Sequence, residues 1–197
     1  MSASTPASAR ALLDFWFGTP TDPDHGQARK IWFAKDDAFD AEVRRRFGTT
    51  IEQALRGELE AWAGDARSAL AQIVVLDQLT RNAFRNTPRA FAGDARALAA
   101  ASRMVGERFD EALPSVMRVF VYLPFEHAEG LAMQDESVRL FTRLASDDPG
   151  QQSGLDSAQR HRAIIERFGR YPHRNAILGR QSTAEEIAFL QQPGSSF

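Results

Sequence analysis

The sequence predicts an all-α fold of antiparallel helical hairpins, tetratricopeptide-like or an irregular helical bundle, and three observations lead there. Apolar residues recur three and four positions apart over long stretches, which lines one face of a helix, whereas a strand alternates its faces every second residue. Proline, glycine and short hydroxyl or carboxylate side chains gather where those stretches start and stop. The breaks between stretches are short, as they are between successive antiparallel helices.

After a Ser/Ala/Thr-rich leader over residues 1–8, expected to be flexible, Ala9 to Phe17 predicts a short helix presenting Leu12, Leu13, Phe15, Trp16 and Phe17. Gly18 and Pro20 stop it. Thr19 to Gln27 holds Pro20 and Pro23 and reads as a surface connection, followed by a helical region from Ala28 that is interrupted or re-capped at Asp36 and Asp37. Phe39, Val43, Phe47, Ile51, Leu55, Leu59 and Trp62 then mark one slowly drifting helix face. Gly48 and Gly57 each cost that helix about 1 kcal/mol relative to alanine and are places for a bend or break.

Asp65 to Leu79 is the next predicted helix, with Leu70, Ile73, Val74 and Leu76 inside. Thr87 and Pro88 form a helix start, cap then proline, ahead of an alanine-rich run to Gly106 whose small side chains let a neighbour approach. Leu113 and Pro114 open another helix, in which Pro124 is expected to kink the chain or to divide it from a helix over Phe125 to Leu144. Ser146 to Leu155 reads as a mobile loop, Ala158 to Phe168 as a helix, and Gly169 to Gly179 as a specific turn-rich segment. Ser182-Thr183-Ala184-Glu185 has a capping-box pattern for a final short helix. One helical domain over residues 9–191 is expected, with a flexible tail over 192–197.

Composition narrows the function classes. The 197 residues carry 24 basic and 26 acidic side chains, a formal net charge of -2, so no overall charge draws the protein to nucleic acid or to an anionic membrane. Neither partner is expected. There is no cysteine, which excludes disulfides, thiol catalysis and cysteine-bound metal and fits a cytoplasmic location. No basic-then-apolar leader and no membrane-spanning apolar run are present, so a soluble protein is expected.

Four polar segments are the candidates for a working surface. In Leu76 to Arg85, Asp77 and Arg81 lie four apart on one helix face, with Asn82 and Arg85 beyond them; the group either presents guanidinium donors to a ligand or closes the helix end as an ion pair. In Tyr122 to Glu129, Glu126, His127 and Glu129 concentrate proton-handling groups after a proline. Glu126 and Glu129 share a helix face and His127 points roughly 100° away, so one helix cannot aim all three at one atom. In Gln159 to Arg170, His161 sits on the packing side of a helix beside Arg162. In Gly169 to Arg180, Arg170, His173, Arg174 and Asn175 sit on a segment pinned by Pro172 and glycines, the sort of rigid loop on which binding residues are found. Each also has a plain structural reading, as helix-end caps or satisfied interior histidines.

Sharper motifs are missing. There is no HExxH, no Glu-x-x-His pair, no GxGxxG, no GxxxxGK[ST] and no GxSxG, so metal, di-iron, dinucleotide, nucleotide and hydrolase-elbow chemistry have no sequence support. No cofactor and no metal are expected.

Taken together, LLDFWFG, IVVLDQLTRNAFR, VYLPFEHAE, HRAIIERFGRYPHRNAILGR and STAEEIAFL, in this order from Leu12 to Leu190, resemble the bacterial family of unknown function DUF924. The resemblance implies an all-helical, tetratricopeptide-like fold and brings no activity, substrate or catalytic residue with it. The polar positions of its motifs are matched at Asp77, Gln78, Arg81, Asn82, Arg85, Glu126, His127, Glu129, His161, Arg162, Gly169, Arg170, Pro172, His173, Arg174 and Asn175. Leu79-Thr80 stands where the family favours Phe-Pro, which loosens the placement of Arg81, and Tyr171 stands where Phe is common. The expected function is a binding module whose Arg/His-lined groove takes a peptide or a small anionic molecule through Asp77, Arg81, Asn82, Arg85, Arg162, Arg170, Arg174 and Asn175. One alternative is an enzyme using Glu126, His127, Glu129, His161 or His173 as acid and base. Another is a structural or assembly protein whose polar motifs satisfy helix ends. The sequence carries no signal of oligomeric state.

Overall fold

Helix α1 (Ala7–Phe17) carries Leu12, Trp16 and Phe17 into the interior and stops at Gly18, whose φ of +83° is a conformation that side-chain-bearing residues rarely take. The computed structural model describes residues 5–195, so the expected leader over 1–8 and tail over 192–197 lie partly outside the described residues. An aromatic cluster forms around the first helix: Phe120 meets Trp16, Phe17 and Trp32 edge-on, with ring centroids 5.7, 5.3 and 4.8 Å apart. Such edge-to-face contacts add to the apolar area that each ring removes from water. The Ala28 region supplies only a short turn, Lys30–Trp32, before Asp36 caps α2 (Asp37–Arg56) by accepting a hydrogen bond from the Phe39 N–H.

The four-residue rhythm runs along α2 and then crosses its end. Val43, Phe47 and Ile51 are buried on the helix, while Gly57 adopts φ +81° and terminates it. Leu59 and Trp62 are buried as expected, yet they sit beyond the helix, around the turn Glu60–Gly64. Gly48 stays inside α2.

Asp65 caps α3 (Ala66–Val74), which widens into a π-helical turn over Val75–Leu79 before α4 (Thr80–Ala83). Helix α5 (Asp94–Gly106) packs against α3, and Gly93 touches the π turn so closely that a Cβ there would fall 2.1 Å from the Leu76 carbonyl oxygen. Helix α6 (Ser115–His127) follows Pro114 and continues through Pro124. The chain does not divide at Pro124; the proline sits in the last turn of α6, with three residues of helix still to run. The break comes instead at Ala128 to Gly130, before α7 (Leu131–Asp147).

The segment expected as a mobile loop, Ser146 to Leu155, is a tight turn. Helix α7 runs to Asp147, Asp148 accepts a bond from the Gly150 N–H, and α8 (Gln152–Phe168) begins at once. Helices α7 and α8 form the most extensive pairing, followed by α6 with α7. The capping box at the start of α9 (Ala184–Leu190) is real but one residue later than the sequence pattern suggests, pairing Thr183 with Glu186. The architecture is thus an all-helical irregular bundle, with no strand among the described residues. No helix among them is long and apolar enough to cross a membrane.

Candidate functional site

The π-helical turn sets the site. It buries Asp77 and Gln78, and such turns are recurrent at functional positions. Gln78 Nε2 donates to Asp77 Oδ2 at 2.5 Å, and Arg81 Nη1 reaches both Asp77 Oδ1 at 3.1 Å and the Asp77 carbonyl at 2.7 Å. The ion pair anticipated from the four-residue spacing is therefore present, and it extends further: Arg81 also binds Asp94 with both terminal nitrogens, at 2.9 and 3.1 Å. Asp94, the first residue of α5, had no signature beyond being an acid at a helix start.

Across from this turn, His127 ends α6 and places Nδ1 2.7 Å from Asp77 Oδ1. An ionised carboxylate only accepts, so Nδ1 carries the hydrogen and Nε2 presents its lone pair. Nε2 has no protein partner among the described residues, and the side chain is 17% exposed. Burial alone would raise the Asp77 carboxyl, but Arg81, His127 and Gln78 outweigh it and hold Asp77 well below the usual carboxylate range. Burial and the Arg81 charge depress the His127 imidazole, so it stays neutral against the opposing pull of Asp77. Asp94 is pushed upward by burial, only partly offset by Arg81.

Arg174 enters from the turn after α8. It is 6% exposed, its guanidinium lies 4.8 Å from the Phe91 ring centroid and 4.6 Å from that of Tyr171, and its ion pair to Asp94 is long at 3.5 Å. Its Nε is buried without an acceptor among the described residues. Burial and the neighbouring Arg81 charge lower its proton affinity.

Behind His127 lies a second, drier group. Glu126 points away from His127, as their helical spacing requires, and accepts from Ser157 Oγ at 3.0 Å with His161 Nδ1 at 3.1 Å. His161 Nδ1 also lies 3.0 Å from the Ser157 carbonyl, which can only accept, so Nδ1–H is the tautomer. Burial pushes Glu126 up to about 8 and His161 down to about 3, so at neutral pH this contact joins two uncharged groups. His173, packed on Tyr171, is lowered to about 4 by burial and by Arg174. Tyr171 donates its hydroxyl to the Glu126 carbonyl and accepts from Gln134 Nε2 at 2.9 Å, while Gln134 also binds the Ala128 carbonyl at 2.7 Å. These two side chains cap the end of α6 and hold Glu126 and His127 in their diverging directions.

Glu129 is outside the helix, so it does not share a face with Glu126 as a continuous helix would have required. It binds Arg180 at 2.6 Å and the Tyr171 N–H at 2.8 Å. The remaining candidates lie elsewhere. Asn82 and Arg85 both bind Asp40 of α2, at 2.7 Å each for the closest contacts. Arg162 pairs with Asp135 and Glu166 on an exposed face, Arg170 with Glu186 at the start of α9, and Asn175 with Ser182 and Arg180. The structure thus gathers Asp77, Arg81, His127 and Arg174, with Glu126, His161 and His173 close behind. Asp94, Phe91, Ser157 and Gln134 join them without any local signal. Among the described residues no three His, Asp or Glu side chains form a metal-binding group.

A family model described as a bacterial protein of unknown function, DUF924, matches residues 12–194. The structure of a protein of unknown function from Agrobacterium tumefaciens, ATU0120, is similar over 95% of this chain and 99% of that one, with 39% sequence identity and a TM-score of 0.83. No curated protein matches the sequence.

Proposed function

Because the chain belongs to the bacterial DUF924 family, whose description assigns no activity, the reading starts from the site, and we propose that the protein binds a small acidic molecule beside His127. One observation carries this: Asp77 occupies His127 Nδ1 at 2.7 Å, which leaves an oriented, neutral Nε2 as an acceptor at the partly exposed edge of the cluster. Arg81 and Arg174 supply positive charge next to it, and Arg174 has donor capacity that Asp94 does not use. A bare anion would compete with Asp77 and Asp94 for these guanidiniums. A ligand that first donates a hydrogen bond to Nε2 avoids that competition and then places its anionic oxygen near Arg174.

Thermal-shift titration of the wild type, His127→Gln and Arg174→Gln with a panel of small carboxylic acids and phosphomonoesters tests the reading. A ligand that stabilises the wild type and loses its effect in both variants is the expected result, since a ligand stabilises only the state it binds. A panel without any effect on the wild type, or one that shifts all three proteins equally, defeats it. The same Asp77–His127 pair favours a second reading, in which Nε2 removes a proton from the bound molecule as a general base. Isotope exchange of a bound ligand's acidic C–H, lost in His127→Gln, separates that from binding alone.

A further inference from the structure

We propose a second ligand site, separate from His127, in a concavity of ≈ 160 Å³ between α3, α5 and the Glu60–Gly64 turn, fitted to a short hydroxy- or keto-carboxylate. Arg96 and Arg103 are seven positions apart on α5, so they lie on one helix face about 10 Å apart along the axis. Ala99 and Ala100 between them keep the space open. Arg103 has no ion-pair partner among the described residues. Arg96 lies over Gly57 at the end of α2 and approaches Glu60 only to 3.8 Å. Two cations and one carboxylate at the rim leave one positive charge in excess, which suits a monoanion.

The wall supplies the second contact. Gln72 is 4% exposed and lines the concavity, yet its Oε1 meets no donor among the described residues. A buried amide with an unmet atom is costly, and its terminal torsion is soft, so it can turn either an acceptor or a donor toward an occupant. Leu76 and the alanines form the apolar remainder. A space of this size takes roughly six heavy atoms, by comparison with a cavity of similar volume that admits benzene. A carboxylate for Arg103, an adjacent oxygen for Gln72 and one short carbon for Leu76 together describe a molecule of the size of lactate or pyruvate.

Isothermal titration with L-lactate, pyruvate and propionate tests the site on the wild type, Arg103→Gln, Ala99→Leu and His127→Gln. Both substituted α5 positions are exposed, so the fold is retained, and urea midpoints check this. Saturable binding of lactate or pyruvate is expected, weakened about tenfold in Arg103→Gln, a change of about 1.4 kcal/mol. Ala99→Leu fills the space and abolishes binding, propionate binds more weakly because it lacks the oxygen for Gln72, and His127→Gln binds like the wild type. Absence of saturable binding by lactate and pyruvate, unchanged affinity in Arg103→Gln and Ala99→Leu, or loss of binding in His127→Gln overturns the proposal. The last of these results would place the ligand at the His127 cluster instead.

Discussion

Replacing Glu126 with glutamine should make the protein more stable, and increasingly so as the pH rises. The side chain is 2% exposed, with one oxygen held by Ser157 and the other, Oε2, without a partner among the described residues. Its carboxyl moves from an ordinary 4.5 to about 8 because burial penalises the charged form. The folded state therefore holds the proton that the unfolded chain has already released, and each pH unit between those two values weakens the fold by about 1.4 kcal/mol. Glutamine matches the protonated acid in shape and charge, keeps an acceptor for Ser157 and has no proton to lose. From about pH 6.5 to about pH 8.5 the advantage of Glu126→Gln over the wild type should grow by about 2 kcal/mol. In urea this is a midpoint separation that widens by roughly 1 M, with unchanged slopes. The histidines contribute equally to both proteins and cancel in the comparison. Parallel pH profiles for the two would refute the reasoning, because they would mean that Glu126 is ionised inside the fold.

Two further outcomes follow from the same geometry. Gly93→Ala puts a methyl group 2.1 Å from the Leu76 carbonyl oxygen, a backbone atom of the π turn that has no soft way to move, and should cost about 2–3 kcal/mol in urea denaturation; a wild-type midpoint would show that α5 shifts freely. Asp77→Asn removes the anion beside His127 and should lower the imidazole further, read as a downward displacement of its titration by NMR; an unchanged titration would mean that Asp77 is not what faces the ring.

Much of this fold was legible because its information is local. Asp36, Asp65 and Thr183 cap helices through their own next few residues, and the buried row from Val43 to Ile51 is written in the spacing of α2. The readings that failed involved features that local pattern underdetermines. The apolar rhythm continues from Leu55 to Leu59 and Trp62 although the helix ends at Gly57, since a turn can bury the same side chains. Pro124 leaves the Phe120 carbonyl without its usual backbone donor, yet α6 runs on for three residues to His127, so a proline in the pattern does not by itself place the helix end. The Asp77–Arg81 pair was visible at four-residue spacing, whereas Asp77 to His127 spans fifty positions and Arg174 to Asp94 eighty, and nothing in a single sequence specifies such meetings. The π turn is equally hidden: one extra residue in a helical winding leaves composition unchanged while redirecting Asp77 and Gln78 inward.

Where the irregularities fall bears on why the charges are buried at all. An ion-pair network kept only for stability has little to recommend it, because well-packed apolar residues of similar volume usually do as well or better. Here the local departures from regular helix meet at one place: the π turn carries Asp77, the last turn of α6 after Pro124 carries Glu126 and His127, and Gly93, pressed on Leu76, immediately precedes Asp94. Each departure has a cost in packing or backbone bonding that a regular bundle avoids. They bring two carboxylates, a neutral imidazole and the Arg81 guanidinium together at one partly exposed edge, where Arg174 joins them from the turn after α8. The Asp40 group differs: its carboxylate takes donors from Asn82 and Arg85 on both oxygens, and none of the three side chains keeps a buried polar atom without a partner among the described residues. That contrast favours a structural task for the Asp40 group and a ligand-directed task for the cluster around His127.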